Sequence, residues 1–147
     1  QLHLLKKYGA AVFASIGSGV AASVVSIFLM CRLMGLSHVN YVTLLPKSIT
    51  TAIGMGVSEE AGGIVTLTVM SIILTGVIGN VLGELVFRIT GVRHPIARGL
   101  ALGTSAHAIG TAKALELGEI EGAMSSLSIA VAGLMTVIAV PIAANLI

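Results

Sequence analysis

The chain has 147 residues, of which 56% are hydrophobic and only 10% charged, with a net charge of +2. A soluble domain carries about 25% charged residues, so this composition speaks for an integral membrane protein and against an ordinary soluble enzyme. The positive charges are scattered, with no basic run and no aromatic interleaving, which removes nucleic acid as a partner. Cys31 is the one cysteine, so no internal disulfide can form.

Residues 1–7 are a polar lead with Lys6 and Lys7. No signal peptide is expected, because the first apolar run is too long and lacks a small-residue cleavage site. Gly9 to Met34 is nearly uncharged and long enough to cross about 30 Å of hydrocarbon; Arg32 can snorkel from its end. Tyr8 and Tyr41 flank it as interfacial anchors. Ala10, Ala14, Ser18, Ala22 and Ser26 form a small-residue stripe that suits close helix approach. Gly17, Gly19 and Ala22 mimic a dinucleotide fingerprint, but no strand precedes them. Residues 35–45 read as a connector. Ile64 to Phe87 is the second span, with Asn80 inside it and Glu84 placed to pair with Arg88 at i,i+4. Gly122 to Ile147 is the third, with Pro141 expected to kink it.

Two stretches break the apolar pattern. Residues 46–63 (PKSITTAIGMGVSEEAGG) open on a proline suited to a first helical position. Residues 102–118 (LGTSAHAIGTAKALELG) crowd glycine, hydroxyls, His107 and Lys113 into one short segment. Irregular polar backbone at membrane depth is tolerated only inside protein or beside a water-filled cavity. Both stretches are therefore expected to be broken helices that face each other around a small polar solute. Non-ideal helix is expected near 54–63 and 103–111, and full spans near 9–34, 64–88 and 120–146. A shift of 56 residues sets Ala52, Ile53 and Gly54 on Ala108, Ile109 and Gly110, and Glu60 on Glu116. This gives repeat units at about 46–90 and 102–147, inverted if the broken segments re-enter and parallel if they cross. Paired interrupted segments of this kind point to a transporter site. The expected fold is an all-α membrane protein, a single integral membrane domain over 1–147, with three full transmembrane helices, two broken or re-entrant polar helices and an internal repeat.

A half-helix beginning inside the membrane offers unpaired N–H groups and a positive dipole end to a carboxylate. The candidate solute-binding residues are Ser48, Thr50, Thr51, Gly54, Thr104, Ser105, His107, Gly110, Thr111 and Lys113. Lys47, Arg98, Asn80 and Glu116 are candidates for charge or coupling; Lys47 and Arg98 also read as headgroup-snorkelling residues. His107 is the sharpest single candidate, since an unperturbed imidazole titrates near pH 6.5 and a bound carboxylate would favour its protonation; against this stands a buried histidine bonded to a carbonyl. His107→Gln is expected to flatten the pH dependence of uptake. Gly54 and Gly110 are expected to lie within reach of one solute. No catalytic residue, metal site or cofactor is expected: the four histidines lack ligand spacing, and neither a nucleophile elbow nor a P-loop occurs.

The runs LLPKSITTAI, SEEAGGIVTLT and HPIARGLALGTSAHAIGTAKALELGEIEGAMSSLS resemble the LrgB/CidB family of bacterial holin-like and antiholin-like membrane proteins, which includes the C-terminal half of the plastid glycolate/glycerate translocator. The resemblance covers about residues 44–147. The family commonly has proline at the positions of Ala52 and Val65, arginine at Lys113 and serine at Ala106, and carries further spans ahead of the first one here, so this chain is expected to be the C-terminal part of a longer protein. The resemblance implies a carrier of small monocarboxylates such as pyruvate, glycolate or glycerate in the bacterial cytoplasmic membrane. The alternative it implies is a modulator of murein hydrolase activity and autolysis without solute transport. Expected partners are the lipid bilayer, a small-molecule carboxylate, an LrgA/CidA-like membrane protein and further copies of the chain. A plain helical scaffold is the remaining alternative.

Overall fold

The computed structural model describes residues 2–147, with side chains from Tyr8 onward, and these residues are helical with short turns. The helices are α1 (Leu2–Met34), α2 (His38–Leu44), α3 (Thr51–Glu60), α4 (Val65–Thr90), α5 (Pro95–Leu117) and α6 (Glu119–Ala143), followed by a 3-10 turn (Ala144–Leu146). Three stretches are long and apolar enough to cross a membrane: Tyr8–Met34, Val65–Thr90 and Glu119–Leu146. The protein is a multi-pass membrane protein. One face of α4, with Met70, Ile73, Leu74, Val77, Val81, Leu85 and Ile89, is exposed and apolar, as a lipid-facing surface must be.

The decisive feature is the break in α5. His107 has φ 42° and ψ −134°, a conformation that no helix contains. The chain folds back there. Gly99 and Leu115 both pack against the first turn of α6, on Glu121 and Gly122 respectively. Gly110 lies on the Leu102 carbonyl, and Leu102 shares a buried cluster with Ala114. A straight helix would separate the last two by about 18 Å. Residues 95–106 therefore enter from one end of the bundle and residues 108–117 return to it. Gly103 admits this packing: a side chain there would strike Ser125 and Ser128 of α6.

A second hairpin enters from the opposite end. The residues from Gly35 to Leu45, expected as a connector, include the helix α2. Ser37 caps it, its hydroxyl accepting from the Asn40 N–H at 3.4 Å. Residues 45–50 turn, and α3 returns to the starting end. Gly54 rests on Ile72, and Ser58 bonds Thr68 one turn further out, at 2.6 Å. Thr43 closes the open end: its hydroxyl accepts from the Ile64 N–H at 2.8 Å, and its carbonyl accepts from Thr68 Oγ1 at 2.9 Å. This corrects the expected position of the break. Helix α3 runs regularly through Gly54 and Gly56 and ends at Glu60, just before Gly62, where φ is +78°. The irregular backbone lies at 45–50 because Pro46 cannot donate a hydrogen bond to continue α2; Pro46 sits in that turn and not at a helix start.

The two ends of the bundle differ. At one lie the end of α4 with Arg88, both ends of α5, and the start of α6. At the other lie the end of α1, the start of α2, the end of α3 with Glu60, and the end of α6, where Tyr41 Oη donates to the Ala143 carbonyl at 2.9 Å. Helix α1 joins both: Val12, Ile16 and Val20 pack with Ile96 and Leu100, while Ile27 and Cys31 pack with Tyr41 and Val140. Each hairpin is followed by a span leaving from the end where that hairpin entered, and the two hairpins enter from opposite ends. Helix α6 continues through Pro141 without a break.

This topology has a direct test. In a Cys31→Ser background, Arg93→Cys and Glu119→Cys are expected to react with an impermeant maleimide from the same side of the membrane. Labelling from opposite sides would show that α5 crosses.

Candidate functional site

The two hairpins meet on the first half of α4. His107 Nε2 lies 2.9 Å from the Ile72 carbonyl, and Gly54 of the other hairpin packs on the Ile72 side chain. A carbonyl only accepts, so Nε2 carries the hydrogen and donates it. A residue other than glycine at positive φ costs about 1–3 kcal/mol; this bond, and the ring lying over Gly76, hold His107 in place.

Between α1, the tip at 45–50, α4 and the first half of α5 lies an open cleft of about 780 Å³. Lys47, Ser48, Ser23, Thr75, Thr104 and Ser105 give it its polar groups. Lys47 Nζ donates to Ser48 Oγ at 2.9 Å, and Ser48 Oγ lies 3.3 Å from Ser23 Oγ. Lys47 has no carboxylate partner among the described residues. A side cavity of about 10 Å³, near the minimum for one water, is lined by Ser23, Ser48, Thr104 and Thr136. Thr104 Oγ1 is buried and has no hydrogen-bond partner among the described residues. An unmet buried hydroxyl costs about 1–3 kcal/mol. Gly19 of α1 makes room for Thr104, since a side chain there would meet the threonine methyl.

The remaining candidates lie elsewhere. His107 is 3% exposed and does not line the cleft; it anchors a tip, as the carbonyl-bonded alternative described. Thr111 bonds the His107 carbonyl at 3.0 Å and Ser125 at 2.7 Å, so it fastens the hairpin to α6. Gly54 and Gly110 are packing contacts, on Ile72 and on Ala106 with the Leu102 carbonyl respectively, and neither lines the cleft. Asn80 Nδ2 donates to the Ile109 carbonyl at 2.8 Å, tying α4 to the returning half of α5. Lys113 is ion-paired with Glu116 at 3.1 Å and Glu84 at 3.6 Å, near the Arg88–Glu84 pair at 2.9 Å. Arg98 donates to the Val92 carbonyl at 3.0 Å and lies over Phe87 at the hairpin mouth. Thr50 precedes α3 without capping it by its side chain, and Thr51 starts that helix; neither lines the cleft.

Residues 1–146 match the LrgB-like family. The chain belongs to that family. It is 44% identical over 138 residues to the "Holin-like protein CidB" of Staphylococcus epidermidis, covering 94% of this chain and 60% of that protein. It is 40% identical over 141 residues to the "Antiholin-like protein LrgB" of Bacillus cereus, covering 96% of this chain and 61% of that one. The chain thus spans about three-fifths of the length of these relatives. No solved structure matches it.

In this LrgB-like chain the sequence did not mark Ser15, Gly19 or Ser23 of α1, nor Thr75 and Gly79 of α4, as site residues. Ala22 and Ser26 were visible as part of a helix-packing stripe. They instead form a cleft wall together with Ser15, Gly19 and Ser23, one face of α1 at helical spacing.

Two valine substitutions separate a site hydroxyl from a structural one. Thr104→Val removes an unmet group and is expected to leave the melting temperature in detergent unchanged or raised. Thr111→Val breaks bonds that hold the hairpin and is expected to cost about 1–3 kcal/mol. Equal losses in the two variants would show that Thr104 also holds the fold.

Proposed function

We propose that this LrgB-like protein is the solute-binding part of a carrier for small monocarboxylates. The observation that carries the proposal is Lys47: a basic side chain with no carboxylate partner among the described residues, at the tip of a half-membrane hairpin, facing a hydroxyl-lined cleft. An ionisable group at membrane depth is costly and marks a solute or ion pathway. A carboxylate seated there takes a charge-assisted bond from Lys47 and hydroxyl donors from Ser48 and Ser23. Thr104 Oγ1 is the further group that a second oxygen of the solute can satisfy. Ser48 and Thr104 stand 56 residues apart, the interval of the sequence repeat, and both line the same cavity. The repeat units are then the two hairpin-plus-span units, inverted relative to each other, with the solute at their junction as in other carriers built this way.

Arg88, Arg93 and Arg98 cluster at one end, and we assign that end to the cytoplasm by the positive-inside rule. The membrane is then the bacterial cytoplasmic membrane, and an LrgA/CidA-like protein and further copies of the chain are the proposed protein partners.

A second reading rests on the printed names of the relatives, holin-like and antiholin-like. In it the protein modulates murein hydrolase activity and autolysis without moving a solute. The cleft favours the carrier, because an interaction surface alone has no use for a basic group without a partner inside it.

Uptake of labelled pyruvate or glycolate into proteoliposomes tests the proposal. Losing a charge-assisted bond costs about 1.5–3 kcal/mol, roughly a ten- to hundredfold effect, and Lys47→Met is expected to lower uptake by that factor. Lys113→Met, at an ion pair outside the cleft, is expected to leave it within about twofold. Uptake that survives Lys47→Met, or autolysis changes with no uptake in the unaltered protein, would favour the second reading.

A further inference from the structure

The cleft contains one ionisable side chain, Lys47. Its lining from α1 (Ser15, Gly19, Ser23), from α4 (Thr75, Ile78, Gly79) and from α5 (Ala97, Thr104, Ser105) is neutral. Behind Ser48, α6 contributes only Thr136. Beyond the lining, His107 is the titratable group close enough to feel the charge of Lys47, and a protonated imidazole would repel it. The ion pairs among the described residues all lie at the Arg88 end. A half-buried ammonium at membrane depth gives up part of its hydration and gains no counter-ion among the described residues, so the empty cleft is better served by a neutral amine. A bound carboxylate reverses this balance, because it supplies the missing charge.

Resting on the carrier reading, we propose that Lys47 is the proton-carrying group of the site. In the empty cleft Lys47 is a neutral amine. When a monocarboxylate binds, the amine nitrogen takes one proton from the solution on the same side, forming an ammonium paired with the carboxylate. On release the ammonium gives that proton back. Anion and proton thus enter and leave together, and the loaded site holds no more net charge than the empty one. His107, fixed through Nε2 to Ile72, positions the hairpin and does not exchange the coupled proton. The loaded form binds one proton more than the empty form, so affinity rises as pH falls, by up to about tenfold per pH unit. The rise ends where the amine is already protonated in the empty cleft.

The test uses the protein in its natural chain, reconstituted in liposomes, with labelled pyruvate. Arginine stays protonated at any working pH. Lys47→Arg is therefore expected to lose accumulation driven by a pH gradient and to bind pyruvate with an affinity that is flat in pH, whatever counterflow it retains. Accumulation by the arginine variant that follows the gradient as the parent does would overturn the proposal. If arginine also abolishes counterflow, the unaltered protein decides: adding pyruvate to the weakly buffered purified protein should take up protons, approaching one per site at some pH between about 6 and 9. No uptake at any pH in that range would overturn the proposal, as would uptake that persists in Lys47→Arg and vanishes in His107→Gln. The carrier reading fails differently: the unaltered protein would then show no counterflow of pyruvate, glycolate or propionate, and the proposal would fall with it.

Discussion

A chain that turns back inside a membrane must satisfy its own backbone without water, and this constraint governs where the protein spends its polar residues. Each orphaned group would cost several kcal/mol in lipid. The second hairpin meets the requirement by packing both halves on α6 and by taking bonds from three neighbours. His107 donates to Ile72, Asn80 donates to Ile109, and Thr111 bridges the turn to Ser125. The first hairpin meets it with Thr43, Ser58 and Thr68 at its open end. Thr43, Ser58, Thr68 and Thr111 are therefore structural, and this is what makes the exceptions informative.

Two groups remain outside that accounting. Thr104 Oγ1 is buried with no partner among the described residues, and Lys47 is half-buried at the hairpin tip with no carboxylate partner among them. Both face the cleft where the hairpin tips converge. Among the described residues Thr104 Oγ1 is the buried side-chain atom left without a hydrogen bond, so unmet polarity collects at this cleft. A small anion with a second oxygen is the complement of that place. Glycine supplies the geometry: Gly19 admits Thr104, Gly76 admits the imidazole, and Gly103 admits α6.

Much of the architecture was legible in the chain. Hydropathy gave three spans to within a few residues, and the glycine- and hydroxyl-rich stretches announced the two broken helices. The break in α5 lies at His107, inside the stretch expected to be non-ideal. In the first stretch Pro46 read as a helix start and 54–63 as non-ideal, whereas Pro46 sits in the turn, α3 is regular from Thr51 to Glu60 and Gly54 is a packing contact. The site was harder to read. Sequence shows which residues are polar but not which are already bonded, so Thr111, Lys113 and Asn80 looked as available as Thr104. Ser15, Gly19 and Ser23 were hidden in α1 because a small-residue face serves helix contact and cleft lining equally well.

The central claim is that the cleft itself holds the solute, and ligand protection tests it most directly. Ser105 stands exposed on the cleft wall. With Cys31 replaced by serine, Ser105→Cys should be alkylated by a membrane-permeant maleimide, and millimolar pyruvate or glycolate should slow that reaction severalfold. A cysteine at Leu134, exposed on the outer face of α6, should be unaffected. An alkylation rate at position 105 that no small monocarboxylate changes, in a protein still able to take up solute, would contradict this account.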